Sequence, residues 1–281
     1  MSSAGKFRSL MAEPGAVVCP GVYDGIGARL VEDVGFKAFY MTGNGAMASL
    51  LGKPDMGLAT MTEMVTRAHQ LAASVDIPLI CDADTGYGGL INVRRTVEEF
   101  EAAGVAGIHI EDQIVQKHCG ALGNVKVVSS KEAADRIEMA LKSRRNDDFF
   151  IIARTDSKDA FGIEEAIRRA KLFAQVGADA VMVEGLDSID EIRRVAEAVD
   201  VPMLFNIYER RVQDAYSVSQ LEDAGVKIVI NCLTSTLYSA ALLKKLYQDF
   251  YEQGTTAAYV DKMLPMKEYT RILGIERELN L

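Results

Sequence analysis

The feature that most constrains this fold is a repeat of short apolar runs, each followed by a segment with helical periodicity. Eight runs with the character of buried strands lie at residues 16–20, 38–41, 78–81, 107–110, 149–153, 180–183, 202–205 and 227–230. Strands that alternate with helices pair in parallel through right-handed crossovers. Glycines such as Gly104 and Gly177 follow the helical segments where helices commonly end. Eight such units in 281 residues predict an α/β fold, a (β/α)8 barrel of the TIM type.

The alternative architecture is a doubly wound open sheet, but no Gly-x-Gly-x-x-Gly motif follows the first predicted strand. The chain is long enough for one barrel-sized domain or two ordinary ones, and the regular alternation favours one domain over residues 1–281. Beyond residue 232 the pattern changes to helices near 237–253, 257–263 and 267–273. This helical extension, about 237–281, must pack on its own barrel or on a neighbouring subunit, and the pattern leaves both open.

Polar side chains follow the predicted strands at the point where each strand ends. They are Thr42, Asp82, Asp84, Glu111, Arg154, Glu184 and Asn206. In a (β/α)8 barrel the carboxyl ends of the strands meet on one face, and that face carries the active site. Solvation alone does not readily explain polar residues at so many strand ends. The ring therefore favours a metal-assisted active site.

The third predicted strand delivers two carboxylates, Asp82 and Asp84, before a glycine-rich turn at 85–89. Alternation along a strand points both carboxylates to the same side, with Ala83 facing away. Two like charges this close repel unless a cation, a proton or several donors offset them. Hard divalent cations prefer such oxygen ligands, so Mg2+ is the expected ion. The alternative is an ordinary strand end with two solvated aspartates.

A long segment between residues 112 and 129 has neither helical nor strand periodicity, and its centre is Lys117-His118-Cys119-Gly120. An irregular connection at the functional end of a barrel is a candidate lid. A cysteine beside a cation and a histidine can exchange protons near neutral pH. The alternative is a surface loop with an incidental cysteine. His109 should share the inward face of Glu111, as a hydrogen-bonded core residue rather than a metal ligand.

Composition excludes several classes of protein. The net charge of -9, without a long run of Lys or Arg, argues against a nucleic-acid partner. No apolar stretch is long enough to span a membrane, and the N-terminus lacks the apolar core of a secretory signal. The 4 cysteines form no Cys-x-x-Cys pair, so a zinc site or redox dithiol is not expected. A cytoplasmic protein with reduced thiols is the expectation.

Four segments together resemble the isocitrate lyase/phosphoenolpyruvate mutase superfamily. They are Cys-Asp-Ala-Asp-Thr-Gly-Tyr-Gly at 81–88, His-Ile-Glu-Asp-Gln at 109–113, Lys-His-Cys-Gly at 117–120 and Ile-Ala-Arg-Thr-Asp at 152–156. The likeness covers nearly the whole chain. It is greatest to the branch with methylisocitrate lyase, dimethylmalate lyase, oxaloacetate-cleaving enzymes and carboxyphosphonoenolpyruvate mutase. The resemblance implies a Mg2+-dependent barrel, with Mn2+ as a substitute ion, and a homotetramer in which neighbouring subunits exchange a terminal helix.

The resemblance also assigns roles to individual residues. Asp82, Asp84 and Glu111 would hold Mg2+, partly through water. The substrate would be bound by Tyr40, Thr42, Gly43, Asn44, Asp55, Gly120 and Asn206. The residues implied in catalysis are Lys117, His118, Cys119, Arg154 and Glu184. Among these, Cys119 resembles the acid/base thiol that members of the family carry on a mobile loop.

Three positions depart from the pattern of the best-known lyases. The loop signature is usually Lys-Lys/Arg-Cys-Gly-His, whereas this chain has Ala121 in place of the final histidine. The segment 208–211, Tyr-Glu-Arg-Arg, is bulky and charged where those lyases carry small residues. An arginine expected in the helix after the eighth strand is replaced near Tyr238. These changes favour a substrate other than methylisocitrate, with Arg210 or Arg211 as a relocated cation.

The sequence therefore predicts a Mg2+-dependent carbon–carbon lyase that acts on a small 2-hydroxy dicarboxylate or 2-oxo acid through an enolate. A phosphonomutase or another enzyme of the phosphorus–carbon bond is the alternative on the same scaffold. A barrel that binds an oxo acid without catalysis is the third hypothesis, and the retained acidic residues and Arg154 argue against it.

Overall fold

The computed structural model describes residues 1–120, 123–208 and 216–279. Within these ranges the chain forms a closed barrel of eight strands. The strands are β1 Val17–Val22, β2 Phe39–Met41, β3 Leu79–Asp82, β4 Gly107–Glu111, β5 Phe150–Thr155, β6 Ala180–Val183, β7 Met203–Asn206 and β8 Val226–Asn231. Each strand pairs in parallel with the next, and β1 closes the barrel against β8. The predicted (β/α)8 fold is confirmed.

Helices surround the barrel and extend the chain beyond it. They are α1 Ser3–Ala12, α2 Gly25–Val34, α3 Gly43–Leu51, α4 Met61–Ser74, α5 Leu90–Ala102, α6 Ser130–Ser143, α7 Ser157–Phe161, α8 Ile163–Val176, α9 Ile189–Ala198, α10 Val218–Asp223, α11 Thr234–Gln253, α12 Met266–Ile272 and α13 Ile275–Glu278. A 3-10 helix, Ala257–Lys262, precedes α12. No helix in the described part of the chain is long and apolar enough to cross a membrane.

The period-two alternation of the strands brings the polar residues to one face. Inward side chains such as Tyr40, Ile80, Ile152, Met182 and Leu204 fill the barrel interior. Two residues further along the chain from each of these side chains lies a polar residue of the predicted ring. These residues are Thr42, Asp82, Arg154, Glu184 and Asn206. The core of the barrel thus fixes the direction of the site residues, because successive inward positions are two residues apart.

The N-terminal helix α1 closes the opposite end of the barrel, and the sequence analysis did not predict it. Ser2 caps α1 by accepting a hydrogen bond from the N–H of Gly5. Phe7 on α1 is fully buried and meets the ring of Phe150 edge-on at 5.2 Å between centroids. Aromatic contacts of this kind bury large apolar areas, so α1 completes the core at the end of the barrel opposite the polar residues.

The C-terminal helix α11 has the opposite character, because none of its side chains is buried among the described residues. Large apolar side chains along it are exposed: Leu237, Tyr238, Leu242, Leu243, Tyr247, Phe250 and Tyr251. The expected helix at 237–253 is confirmed and begins three residues earlier, at Thr234. The proposed exchange of a helix between subunits stays a prediction.

Candidate active site

The predicted site residues border a cavity of about 40 Å3 at the carboxyl end of the barrel. Its lining includes the predicted Tyr40, Thr42, Gly43, Asn44, Asp55, Asp82, Glu111, Lys117, His118, Cys119, Gly120, Arg154, Glu184 and Asn206. It also includes Met182, Tyr208, Ile230, Cys232 and Leu233. Most of the predicted site residues thus meet at one cavity.

The two aspartates of the third strand are both buried, but the strand does not carry both. The strand ends at Asp82, and Asp84 follows in a turn with a positive φ of 49°. The expectation that simple alternation orients Asp84 is therefore wrong. The turn instead brings the N–H of Asp84 to within 2.9 Å of Oδ1 of Asp82, which accepts the hydrogen bond. Asp84 has no place in the cavity lining and contacts Lys117 behind it.

Lys117 is buried among the carboxylates. Its Nζ lies 2.8 Å from Oδ1 of Asp55 and 2.5 Å from Oδ1 of Asp84. Burial alone lowers the pKa of a lysine, but the carboxylates of Asp84 and Glu111 outweigh burial and raise the pKa of Lys117. Burial raises the pKa of Asp84 to about 6 despite Lys117, and the charge of Asp82 adds to the rise. Lys117 is thus a cationic bridge between two loops of the site.

Arg154 forms a second cluster with three carboxylates. Its Nε and one terminal nitrogen donate to the two oxygens of Asp156 at 2.9 and 2.7 Å. The guanidinium also lies 3.5 Å from Glu111 and 3.9 Å from Glu184. Burial raises the pKa of Glu111 well above its ordinary value, although Arg154 opposes the shift. The sequence analysis did not select Asp156. Its position two residues after Arg154, the spacing of side chains on one face of a strand, is the signal that could have identified it.

Two neighbouring strands are tied together behind this cluster. Asp112 is buried, and its carboxylate accepts hydrogen bonds from the N–H of Asp156 and the hydroxyl of Thr155. The buried Arg169 donates to the same carboxylate at 2.9 Å. A second buried arginine, Arg136, donates to the main-chain oxygen of Glu111 at 3.3 Å. These hydrogen bonds fix the ends of β4 and β5, on which Glu111 and Arg154 lie.

His109 is fully buried between Tyr40 and Asp82, on the inward face that the sequence predicted. Its Nε2 lies 2.7 Å from the hydroxyl of Tyr40, and its Nδ1 lies 3.7 Å from Oδ1 of Asp82. Burial lowers the pKa of His109 to about 4, so the imidazole is neutral at neutral pH. Burial alone raises the pKa of Asp82, but His109, Lys117 and Arg154 leave it below its ordinary value.

The residues Thr42, Gly43 and Asn44 form the start of helix α3, which the sequence analysis did not predict. Thr42 caps the helix, and its hydroxyl accepts from the N–H of Gly45 at 3.2 Å. The first N–H groups of a helix lack acceptors within it and carry a partial positive charge. Since Thr42, Gly43 and Asn44 border the cavity, this helix end provides donors for an anionic group.

The lid segment is held over the cavity by contacts at its centre. The N–H of Cys119 donates to the main-chain oxygen of Asp55 at 3.0 Å, beside the ion pair between Lys117 and Asp55. The side chain of Gln113 binds both the N–H and the oxygen of His118. Gly120 packs against the Arg154 cluster, since a methyl group placed on it would lie 3.1 Å from Oδ1 of Asp156. Cys119 is half-buried and borders the cavity.

The side of the cavity at the ends of β7 and β8 contains Asn206, Cys232 and Tyr208. The amide of Asn206 donates to Sγ of Cys232 at 3.1 Å and accepts from the N–H of Cys232 at 3.2 Å. Cys232 lies just beyond β8 and borders the cavity. The predicted cations Arg210 and Arg211 lie outside the described residues. Tyr238 is 65% exposed and does not contribute to the lining.

The donor chemistry of the site fits a hard divalent cation. The carboxylates of Asp55, Asp82, Asp84 and Glu111 are buried, and among the described residues Oε1 of Glu111 has no hydrogen-bond partner. A cation would offset their charge better than Lys117 alone. Across residues 1–120, 123–208 and 216–279, no group of three or more His, Cys, Asp or Glu side chains is arranged so that it could hold a metal ion. The assignment of three metal ligands therefore stays a prediction.

Comparison with known proteins identifies the family. The family described as phosphoenolpyruvate phosphomutase matches residues 7–249. The chain belongs to this family. It is 38% identical to 2,3-dimethylmalate lyase of Eubacterium barkeri over 277 residues, which cover 99% of this chain and 96% of the relative. The resemblance to the phosphoenolpyruvate mutase/isocitrate lyase superfamily is thus confirmed.

Solved structures of the family share the whole fold. Oxaloacetate acetylhydrolase in complex with the inhibitor 3,3-difluorooxalacetate superposes with a TM-score of 0.94 at 36% identity, covering 99% of this chain and 95% of that one. A complex of phosphonopyruvate hydrolase with oxalate and Mg++ superposes with a TM-score of 0.88 at 25% identity, covering 100% of this chain and 98% of that one. The proteins to which this chain is similar are thus named as a lyase, an acetylhydrolase and a phosphonopyruvate hydrolase.

Proposed function

We propose that this protein is a Mg2+-dependent carbon–carbon lyase that cleaves a small 2-hydroxy dicarboxylate or 2-oxo acid through an enolate. The observation that carries the proposal is the placement of the thiol of Cys119 on the same cavity as Asp82, Glu111 and Arg154. A site that only binds an oxo acid has no need of an acid/base thiol. The similarity to 2,3-dimethylmalate lyase and oxaloacetate acetylhydrolase supports the same reaction class.

In this proposal, different residues of the cavity bind different parts of the substrate. The N–H groups of Gly43 and Asn44, at the start of α3, bind the carboxylate of the 2-oxo acid portion. Arg154 and Glu184 lie beside the oxygen on the reacting carbon, and Asn206 orients the remaining part of the substrate. Such fixed groups accelerate a reaction by holding the reacting atoms in position before bond cleavage.

Asp82, Asp84 and Glu111 would hold Mg2+, or Mn2+ in its place, with Asp55 close by. Bound there, the ion would stabilise negative charge on the oxygen atoms of the oxo acid. Lys117 keeps Asp55 and Asp84 together and neutralises part of their charge. The solved complex of phosphonopyruvate hydrolase with oxalate and Mg++ supports this choice of ion.

Cys119 completes the reaction at the departing fragment. As the hydroxyl of the reacting carbon loses its proton to the carboxylate of Glu184, its C–O bond becomes a carbonyl and the bond between the two carbons breaks. The electron pair of the broken bond stays on the departing fragment as an enolate. The thiol of Cys119 gives its proton to the enolate carbon and becomes a thiolate. Lys117 and His118 directly precede Cys119 in the lid segment. The lid keeps bulk water from the enolate until this step.

The decisive experiment compares wild-type protein with Cys119→Ala on dimethylmalate, methylisocitrate, isocitrate, oxaloacetate and phosphonopyruvate with Mg2+. We expect cleavage of one of the first four, and a loss of at least about 100-fold in kcat for the variant. Oxalate, a mimic of an oxo-acid enolate, should stabilise both proteins thermally when Mg2+ is present. Full turnover by Cys119→Ala, or turnover of phosphonopyruvate alone, would contradict the proposal.

A phosphonomutase or a phosphorus–carbon hydrolase is the second candidate. The family description and the similarity to phosphonopyruvate hydrolase favour it, together with the departures at Ala121 and Tyr208 from the usual lyase pattern. Either class needs a cation for the distal acidic group of its substrate, and we assign that role to Arg210 or Arg211. Unchanged KM values in both Arg210→Ala and Arg211→Ala would contradict that assignment, with Arg193→Ala as a surface control.

We further propose a cytoplasmic homotetramer whose subunits exchange the C-terminal helix. The exposed apolar side chains of α11 support association through this helix, because a monomer gains nothing from exposing them. No partner other than a small carboxylate is proposed.

A further inference from the structure

His109 lies inside the barrel between Tyr40 and Asp82, and it is 0% exposed. The rings of Tyr40 and His109 stack with their centroids 5.6 Å apart and an interplanar angle of 18°. The imidazole therefore cannot turn without displacing the tyrosine. One ring nitrogen meets the Tyr40 hydroxyl at 2.7 Å, and the other faces Oδ1 of Asp82 at 3.7 Å.

An imidazole with one ring proton has two arrangements of that proton in this place. In the first, the Tyr40 hydroxyl donates to Nε2, and the proton of the imidazole lies on Nδ1, directed at Asp82. In the second, Nε2–H donates to the tyrosine oxygen, and the lone pair of Nδ1 faces a carboxylate oxygen. The second arrangement also requires another acceptor for the hydroxyl proton of Tyr40.

The surroundings favour the first arrangement. A lone pair beside a buried carboxylate is repelled, whereas an N–H dipole there is attracted, and the low local dielectric enlarges both effects. The hydroxyl of Tyr40 has no hydrogen-bond partner other than His109 among the described residues. At 3.7 Å, Nδ1 is too far for an ordinary hydrogen bond to Asp82, and its N–H acts as an oriented dipole.

The carboxylate of Asp82 has different neighbours on its two oxygens. Oδ1 accepts the N–H of Asp84 at 2.9 Å and also faces His109. Oδ2 faces the start of α3, since a methyl group placed on Gly43 would lie 2.3 Å from it. Donors therefore gather on Oδ1, whereas Oδ2 lies against the first residue of α3.

We propose that Tyr40 holds His109 as its Nδ1–H tautomer and that His109 acts as a positioning residue, which orients Asp82 through Nδ1–H. Groups that orient a metal-binding carboxylate typically change metal affinity by about 10- to 100-fold when they are removed. The orienting role rests on the proposed metal site, whereas the tautomer does not. The two parts therefore have separate tests.

The tautomer is tested on the metal-free wild-type protein by long-range 1H–15N correlation spectra of 15N-labelled histidine. The chain has 3 histidines, so His69→Asn and His118→Asn assign the signals of His109 by elimination. We expect a protonated Nδ1 and an unprotonated Nε2 for His109, and loss of this single pattern in Tyr40→Phe. An Nε2–H pattern, a doubly protonated ring or an averaged signal in the wild type would overturn the proposal.

The orienting role is tested with a matched pair of substitutions. The amide nitrogen of asparagine takes the place of Nδ1, whereas that of glutamine takes the place of Nε2. His109→Asn therefore keeps a donor toward Asp82, and His109→Gln loses it. We expect Mg2+ affinity, measured by calorimetry, to fall about 10- to 100-fold in His109→Gln and by less than about threefold in His109→Asn.

Equal affinities of the two variants would overturn the orienting role. His69→Asn serves as the control, because His69 is on helix α4, away from the cavity lining, and we expect unchanged affinity. Thermal unfolding of each variant identifies one that fails to fold, and the spectrum of the wild type then still decides the tautomer. Absence of Mg2+ binding by the wild type would contradict the proposed function and leave the tautomer result intact.

Discussion

Gly43 lies directly against Asp82, so that a methyl group placed on its Cα would lie 2.3 Å from Oδ2 and 2.9 Å from the carboxyl carbon. Contacts this short do not occur between real side chains, and one of the two residues would have to move. The first residue of helix α3 thus sets the position of the carboxylate on the neighbouring strand. The anion-binding helix end and the acidic group of the site are built around the same contact.

Gly43→Ala should therefore displace Asp82 and damage the site. We expect Mg2+ affinity to fall about tenfold or more and the free energy of unfolding to fall by about 1–3 kcal/mol. Calorimetry and urea unfolding measure the two effects. Gly25→Ala is the matched control, since Gly25 also begins a capped helix but has no atom within 4 Å of its added methyl group. Equal behaviour of the two variants would contradict the prediction.

Lys117→Gln should make the protein depend more strongly on a metal ion. The substitution leaves Asp55 and Asp84 buried without their cation, and breaking a buried pair in this way costs about 3 kcal/mol. We expect a lower free energy of unfolding without Mg2+ and a larger stabilisation by Mg2+ than in the wild type. Urea unfolding with and without Mg2+ measures both.

Lys131→Gln is the control for that experiment. Lys131 pairs with Asp135 on the surface of helix α6, where solvent screens the interaction. It should change neither quantity measurably. If Mg2+ stabilised Lys117→Gln no more than the wild type, the proposed position of the ion beside Asp55 and Asp84 would be wrong.

The sequence predicted the barrel and most of the cavity, because both depend on short-range periodicity. Strand alternation places Asp82 two residues after Ile80 and Arg154 two residues after Ile152, and the pattern shows this directly. Helix α3 escaped prediction because Gly43 and Gly45 are poor helix formers and indicate a turn. Its formation depends on the Thr42 cap and on burial of Ala46 and Met47, which is tertiary context.

Other details of the site depend on the path of loops through space. The left-handed conformation of Asp84 and its ion pair with Lys117 join residues that are distant in sequence. Likewise, Asp112 receives Arg169 from a later helix, and no local signal marks this pair. Periodicity predicts the direction of side chains on strands, whereas pairings between loops need the folded chain.

Acid should remove the contribution of the ion pairs that Glu165 forms on helix α8. Hydrogen bonds from Arg168, assisted by Arg169, lower the pKa of Glu165 to about 2 from its ordinary 4.5. A carboxylate with a lowered pKa stabilises the fold above its unfolded pKa, and the contribution disappears as the pH falls through the folded value. Glu165→Gln should therefore destabilise the protein by about 1 kcal/mol at neutral pH, with the difference shrinking between pH 4.5 and about 2.

Urea unfolding as a function of pH measures this difference. Glu138→Gln is the control, since Glu138 belongs to an exposed pair with Lys142, four residues away, the spacing that also separates Glu165 from Arg169. Its effect should be smaller at every pH. A difference between wild type and Glu165→Gln that grew toward low pH would contradict the assignment.

The exposed face of α11 should be the contact through which subunits associate. Tyr247 is 63% and Phe250 51% exposed on this helix, and they belong to a row of large apolar side chains. A charge placed in an apolar contact between subunits loses its hydration without gaining a partner. Tyr247→Glu combined with Phe250→Glu should therefore reduce the assembly to smaller species, which light scattering coupled to size-exclusion chromatography detects.

Gln248→Glu adds a charge on the same helix as a control and should preserve the assembly. A wild-type protein that is monomeric at micromolar concentration would contradict the proposed tetramer, whereas an assembly that survives the double substitution would assign the contact to another surface.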